Sequence, residues 1–199
     1  MKNFNYQLAG DNGVHFYPLK QNDNLIKILL FCFKNKPPSG VIDIIPSLVN
    51  LLVVFDNYKT SANDIIKYVE DLNLENVTLE KKLPFHWEIP VCYESKYGLD
   101  LSFISEKCDL PESKVITLHH ENVYKVGMMG FLPGLPFLTK LNEKLKLPRR
   151  NNPRTLVPSG SIGIAINQSV IYPQDSPVDA PLGTAALPKE EFSNFIYSI

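Results

Sequence analysis

The spacing of hydrophobic positions changes several times along the chain, and each change marks an element. In residues 24–33 Leu25, Leu29 and Cys32 fall near one face of a helix. Lys36-Pro37-Pro38-Ser39-Gly40 stops that helix, because proline lacks the backbone donor and clashes with the preceding turn. The β-branched and aliphatic runs 41–45 and 48–55 read as two strands parted at Pro46-Ser47, the second closing on the turn signal Asp56-Asn57. Ser61 with Asp64 three residues later predicts a capping box, and Ile65, Ile66, Val69 and Leu72 recur at helical spacing. With an opening strand at 4–8 and a closing one at 76–79, the order is β-α-β-β-α-β, a ferredoxin-like α/β unit.

A charged stretch at 80–82 leads to a boundary near residue 84, which separates a first domain, 1–84, from a second, 85–199. Trp87 opens a strand at 87–93, followed by helices at 99–107 and 111–119. Pro111 suits the first turn of the latter and Glu112 its positive end. From Tyr124 onward short apolar runs at 123–129, 156–157, 162–166 and 170–172 alternate with Gly-Pro turns. That texture predicts a barrel or sandwich and makes the whole an α+β protein.

Composition narrows the function classes. Of 199 residues 44% are hydrophobic and 21% charged, the mark of a globular chain with a sizeable core. A formal net charge of −1 offers no basic face for nucleic acid, which is bound through many phosphate contacts. The N-terminus lacks the apolar core of a signal peptide, and the apolar runs 25–33 and 49–55 are too short to span a bilayer, so the expected location is cytoplasmic, away from membranes. Cys32, Cys92 and Cys108 form no CxxC pair and have no histidine at ligand spacing, so buried reduced thiols and no metal site are expected.

Candidate chemistry gathers between 130 and 173. The segment 130–138 holds Gly130, Pro133 and Gly134, too many breakers for a regular element, and reads as an ordered, pre-shaped loop. Arg149, Arg150 and Arg154 stand together in a proline-limited stretch, and guanidinium forks suit carboxylates and phosphates. In Ser159-Gly160-Ser161-Ile162-Gly163, small residues can aim backbone N–H groups at an anion or a developing oxyanion. His119, at a helix end ahead of the strand feeding the loop, has the position of a general base or positioning group. Each has a plainer reading: a structural turn, a solvated basic loop, a helix-dipole partner. The GxxxxGK[ST] phosphate loop is absent, as is any Ser-His-Asp or Cys-His order.

These residues carry a resemblance. Leu52-Val53-Val54-Phe55-Asp56, Ile89-Pro90-Val91-Cys92-Tyr93, Gly98-Leu99-Asp100-Leu101 and the stretches 124–138, 148–155, 157–165 and 168–173 appear in the order of the allophanate hydrolase subunit 1 family. That family, the carboxyltransferase-domain subdomains C and D, takes in the B subunit of 5-oxoprolinase and a sporulation-kinase inhibitor. The resemblance implies a small α/β domain followed by a cyclophilin-like β-barrel domain, with 192–199 in the place of its last strand. It also implies a non-autonomous part of an ATP-dependent 5-oxoprolinase, which opens the lactam of 5-oxoproline to glutamate. The implied partners are a larger, related barrel subunit and a third, sugar-metabolism-like subunit. ATP with Mg would act in the complex, with nothing tightly bound to this chain. Arg149, Arg150 and Arg154 would hold carboxylate or phosphate, the 159–163 backbone would face developing charge, and His119 would orient or move a proton. Gln168 and Tyr172 join the implied binding residues. Alternatives are a module that inhibits a sensor histidine kinase and a divergent member serving another amide or urea-type hydrolase or carboxylase. The sequence departs from the pattern in Ala165-Ile166-Asn167, where an Ala-Gly pair is usual, and after Ser176-Pro177, where an aromatic and an arginine are missing.

Overall fold

A computed structural model of the chain describes residues 3–19, 23–79, 86–150, 154–178 and 181–185. It is a mixed α/β protein with four α-helices and antiparallel sheets among these residues, and contacts divide it into two compact units, Met1–Leu83 and Pro84–Ile199.

The first unit runs β1 (Phe4–Ala9), β2 (Gly13–Pro18), α1 (Asp23–Asn35), β3 (Val41–Pro46), β4 (Leu51–Phe55) and α2 (Ala62–Asp71). Its strands lie in the order β1-β2-β4-β3, each antiparallel to its neighbour. In β2 and β4 the side chains alternate, and Val14, Phe16, Leu51, Val53 and Phe55 are all buried. They pack with Leu29 and Phe33 of α1 and Ile65 and Val69 of α2 in one core. Fully burying such side chains stabilises by roughly 1.5–3 kcal/mol each. Ser61 caps α2 as its spacing predicts: its side chain accepts from the Asp64 N–H at 3.3 Å, and the Asp64 carboxylate accepts from the Ser61 N–H at 3.0 Å.

Two strand assignments differ from the sequence reading. β2, unassigned there, pairs with β1 from Phe4↔Pro18 to Ala9↔Gly13. The expected closing strand at 76–79 does not form: Leu74–Asn76 make a 3₁₀ turn and the following residues carry no ladder. The turn commits the Asn76 and Val77 N–H groups to the Asn73 and Leu74 carbonyls, both at 3.3 Å, where a strand would need them for a ladder.

The second unit contains β5 (Val91–Cys92), α3 (Leu101–Cys108), α4 (Glu112–His120), β6 (Lys125–Met129), β7 (Pro136–Thr139), β8 (Arg154–Val157), β9 (Ser161–Ala165), β10 (Gln168–Ile171), β11 (Ser176–Val178) and β12 (Pro181–Ala185). Six strands form a sheet in the order β5-β12-β9-β10-β7-β6, and β11 pairs with β8 as a separate ribbon. No closed barrel is seen among the described residues; β5 and β6 are the sheet's edges. The expected strand at 87–93 shrinks to two residues, in keeping with Pro90, which has no N–H to give a ladder. The 130–138 segment does contain a regular element: β7 starts at Pro136, the first-residue position a strand tolerates, and pairs with both β6 and β10. Pro111 stands one residue ahead of α4, as its N-cap. The expected strand at 192–199 and the boundary near 84 lie outside the described residues.

Among the described residues no helix is long and apolar enough to cross a membrane.

Candidate functional site

The residues singled out from the sequence fall into five places. The first is an open cleft lined by residues of β7, β9 and β10. Arg149, Gly163, Gln168 and Tyr172 all line it. Its remaining walls are apolar, with Leu135 and Phe137 among them. A concave, mainly apolar space with a few convergent polar groups is the usual form of a small-molecule site.

The second place is the hairpin loop between β6 and β7, which holds Gly130, Pro133 and Gly134. It folds on itself: the Gly130 N–H donates to the Leu135 carbonyl at 3.1 Å and the Leu135 N–H to the Leu132 carbonyl at 3.1 Å. Gly134, at φ +82°, takes the left-handed conformation that glycine adopts without strain. The loop carries Phe131 to the cleft.

The third place joins residues from distant points of the chain. Arg150 donates to the carboxylate of Asp100, and Arg154 adds two bonds to it, from Nε at 3.1 Å and from Nη2 at 2.5 Å. Asp100 is 3% exposed. The Arg150 guanidinium also lies 4.9 Å from the centre of the Phe103 ring. Asp100 sits at the N-cap of α3 without capping it, and its charge lies at the positive end of that helix. The sequence-expected anion for Arg150 and Arg154 is therefore met by a carboxylate of the chain itself. Asp100 went unrecognised as a site residue because its partners lie 50 and 54 positions further on. Its one local signal is an acidic residue set between leucines that the fold buries.

Ser159, Gly160 and Ser161, the fourth place, are likewise satisfied within the chain. Their N–H groups donate to the Asp175 carboxylate at 2.8 Å, the Tyr172 carbonyl at 2.7 Å and the Pro158 carbonyl at 3.1 Å respectively. The turn secures the return of the chain from β8 into β9, and its amides face in-chain acceptors.

His119 occupies the fifth place. It is 4% exposed in the last turn of α4, with Nδ1 2.7 Å from the Tyr93 hydroxyl. The Tyr124 hydroxyl donates to the His119 carbonyl at 3.1 Å, and its ring lies 5.4 Å from the imidazole. Burial, with a smaller contribution from His120, lowers the His119 pKa to about 4, while burial pushes the Tyr124 hydroxyl up to about 12 and raises Tyr93 as well. At neutral pH the ring is uncharged and hydrogen-bonded, and Nε2 is buried with no partner among the described residues. So weak a base suits holding Tyr93 and Tyr124 in place better than taking a proton.

Two residues at the cleft carry backbone strain. Phe131 and Ile166 have φ +68° and +58°, the left-handed region that costs an L-residue roughly 1–2 kcal/mol and a β-branched one most of all. Both line the cleft, and they are 66% and 57% exposed. Cys32 is buried and Cys92 and Cys108 are half-buried, all three as free thiols. No group of three or more metal-ligating side chains occurs among the described residues.

Fold and site together describe an α/β domain with a mainly apolar cleft on an antiparallel sheet, and the comparisons narrow that class. The family described as "Carboxyltransferase domain, subdomain C and D" matches residues 14–178. The chain belongs to this family. It is 39% identical over 138 residues to the 5-oxoprolinase B subunit of Escherichia coli O157:H7, covering 69% of this chain and 63% of that protein. It is 30% identical over 168 residues to the 5-oxoprolinase B subunit of Bacillus subtilis strain 168, covering 79% of this chain and 70% of that one. Among solved structures, that of TTHA0988 matches with a TM-score of 0.73 at 28% identity, over 88% of this chain and 35% of the other. The chain thus spans between three fifths and three quarters of the length of these two curated relatives.

Proposed function

We propose that the chain acts as the B subunit of an ATP-dependent 5-oxoprolinase and that its cleft meets the lactam acid. One observation carries the reading: Arg149, Gln168 and Tyr172 line a single cleft, in a chain 39% identical over 138 residues to a 5-oxoprolinase B subunit. The lactam of 5-oxoproline is a resonance-stabilised amide. Transfer of the terminal phosphoryl group of ATP to its oxygen, with release of ADP, removes that resonance; water then adds to the carbon, the C–N bond breaks to free the amino group, and a second water releases inorganic phosphate to leave glutamate. Arg149 supplies the planar fork that a carboxylate accepts, and Gln168 offers both a donor and an acceptor to an amide edge. Apolar walls suit the ring methylenes.

The described residues do not fit ATP with Mg. Arg150 and Arg154 hold Asp100, and the Ser159–Ser161 amides have in-chain acceptors, so these sequence-expected anion groups are already engaged. We place the nucleotide on a partner, either the larger barrel subunit or the third subunit. This chain then has the task of holding the lactam acid, with His119 a positioning residue. The finer fold follows the same lines. The first unit is a ferredoxin-like unit in which β1 fills the edge normally given to the last strand, supported by the order β1-β2-β4-β3. The second is the cyclophilin-like domain, supported by its antiparallel six-stranded sheet.

The test is direct. The chain is co-expressed with the two partner subunits, and glutamate and ADP formation from 5-oxoproline and ATP is followed. Replacing Arg149 with Ala lowers kcat/KM by about 10- to 100-fold, the value of a charge-assisted hydrogen bond. No turnover by a complete, folded assembly contradicts the proposal.

A further inference from the structure

The mouth of the cleft is built unlike its floor. The floor is buried: Leu135 and Tyr172 are 1% and 3% exposed. At the mouth stand Phe131 and Ile166, a large aromatic and a β-branched residue, both more than half exposed and both in the left-handed region. A left-handed position on a hairpin turn is normally filled by glycine or asparagine, which adopt it at little cost. Ile166 opens the two-residue connection that links Ala165 to Gln168 in the β9–β10 hairpin. Its N–H donates to the Leu147 carbonyl at 2.5 Å, which pins the turn. Phe131 is pinned from both sides, by the Gly130 N–H to the Leu135 carbonyl and by the Leu132 N–H to the Gly130 carbonyl. Strained residues held by their surroundings cluster at ligand clamps, and two of the four positive-φ non-glycine residues described line this one cleft.

We propose that Phe131 and Ile166 are an apolar clasp across the cleft, which selects a small cyclic or branched amide acid by its hydrocarbon face. Arg149 and Gln168 take the ligand's carboxylate and amide, while the clasp closes on the carbon skeleton and excludes water from it. This rests on reading the cleft as the lactam-acid site and adds to it the residues that determine specificity. Linear amide acids of the same polarity, which leave the clasp without a compact apolar face, bind more weakly.

The experiment has two arms. In the first, the chain alone is titrated with 5-oxoproline while the Ile166 methyl resonances are followed by NMR. The expected result is a saturable shift that weakens at least tenfold in Phe131→Gly and more than tenfold for N-acetylglycine, a linear amide acid. Glycine accepts the left-handed backbone, so this variant keeps the fold, which its thermal unfolding checks. No shift at Ile166, or the same affinity in Phe131→Gly, overturns the clasp. In the second arm, the assembled complex is assayed with wild-type chain, Phe131→Gly and Ile166→Gly. The expected loss falls mainly on KM, by about tenfold, as for removal of an apolar group from a pocket. Turnover with KM unchanged in both variants overturns the clasp and leaves the functional reading standing. Saturable binding at Ile166 without turnover by the assembly keeps the clasp and removes the functional reading.

Discussion

Without its carboxylate, Asp100 leaves Arg150 and Arg154 with no counter-charge at a buried point between α3 and β8. Breaking a buried pair costs about 3–5 kcal/mol, and since the two arginine side chains keep 25% and 34% exposure, Asp100→Asn should lie at the low end, about 3 kcal/mol. Urea unfolding of the variant measures it; a loss under about 1 kcal/mol contradicts a structural clamp. His119 gives a pH prediction. Its folded pKa of about 4 lies below the unfolded value near 6.5, so the unfolded chain binds the proton more tightly. The stability contributed by the neutral ring is fully present above pH 6.5 and is lost as pH falls through 4, up to about 3 kcal/mol in all. Unfolding followed from pH 7 to 4 should show this fall in wild type and a flatter profile in His119→Gln. Three arginines drawn together in sequence go to two destinations, Arg149 to the cleft and the other two to Asp100. Their anion-binding character was legible in the guanidinium chemistry. Their destination was not, because the deciding carboxylate lies in another element half a hundred residues earlier.

Elements were legible wherever one local signal dominated. The Ser61–Asp64 pair forms the reciprocal cap its spacing announces, and Ser61→Ala should cost about 1 kcal/mol in unfolding free energy. Where two signals conflicted, the fold chose by pairing. β7 forms in a stretch of breakers because its proline falls on the first residue and β6 and β10 offer ladders on both sides. β2 carries a clear alternation, Val14 and Phe16 inward with His15 and Tyr17 opposite, and it pairs with both β1 and β4, while 76–79 carries no ladder. On the β9–β10 hairpin the strain at Ile166 makes its own prediction. Ile166→Gly should raise the thermal midpoint, since glycine takes φ +58° without the Cβ clash. A lowered midpoint would show that the isoleucine contributes more in packing than its backbone costs.

At the scale of the whole molecule, two compact units carry separate cores, and the cleft belongs to the second alone. The family was legible because many short motifs keep their order over most of the chain, and residues 14–178 match it. The division of chemistry was less so: a sequence shows which side chains can hold an anion, and only the packed structure puts Arg149 at the cleft and Arg150 and Arg154 on Asp100. That division leads to the central claim, that this chain holds the lactam acid while a partner handles the nucleotide. Equilibrium binding to the purified chain tests it most directly, by titrating 5-oxoproline and, separately, ATP with Mg into wild type and Arg149→Ala. The expected result is saturable binding of 5-oxoproline that Arg149→Ala weakens at least tenfold, and none of ATP. Tight ATP binding to this chain, or binding of 5-oxoproline indifferent to Arg149, would contradict it.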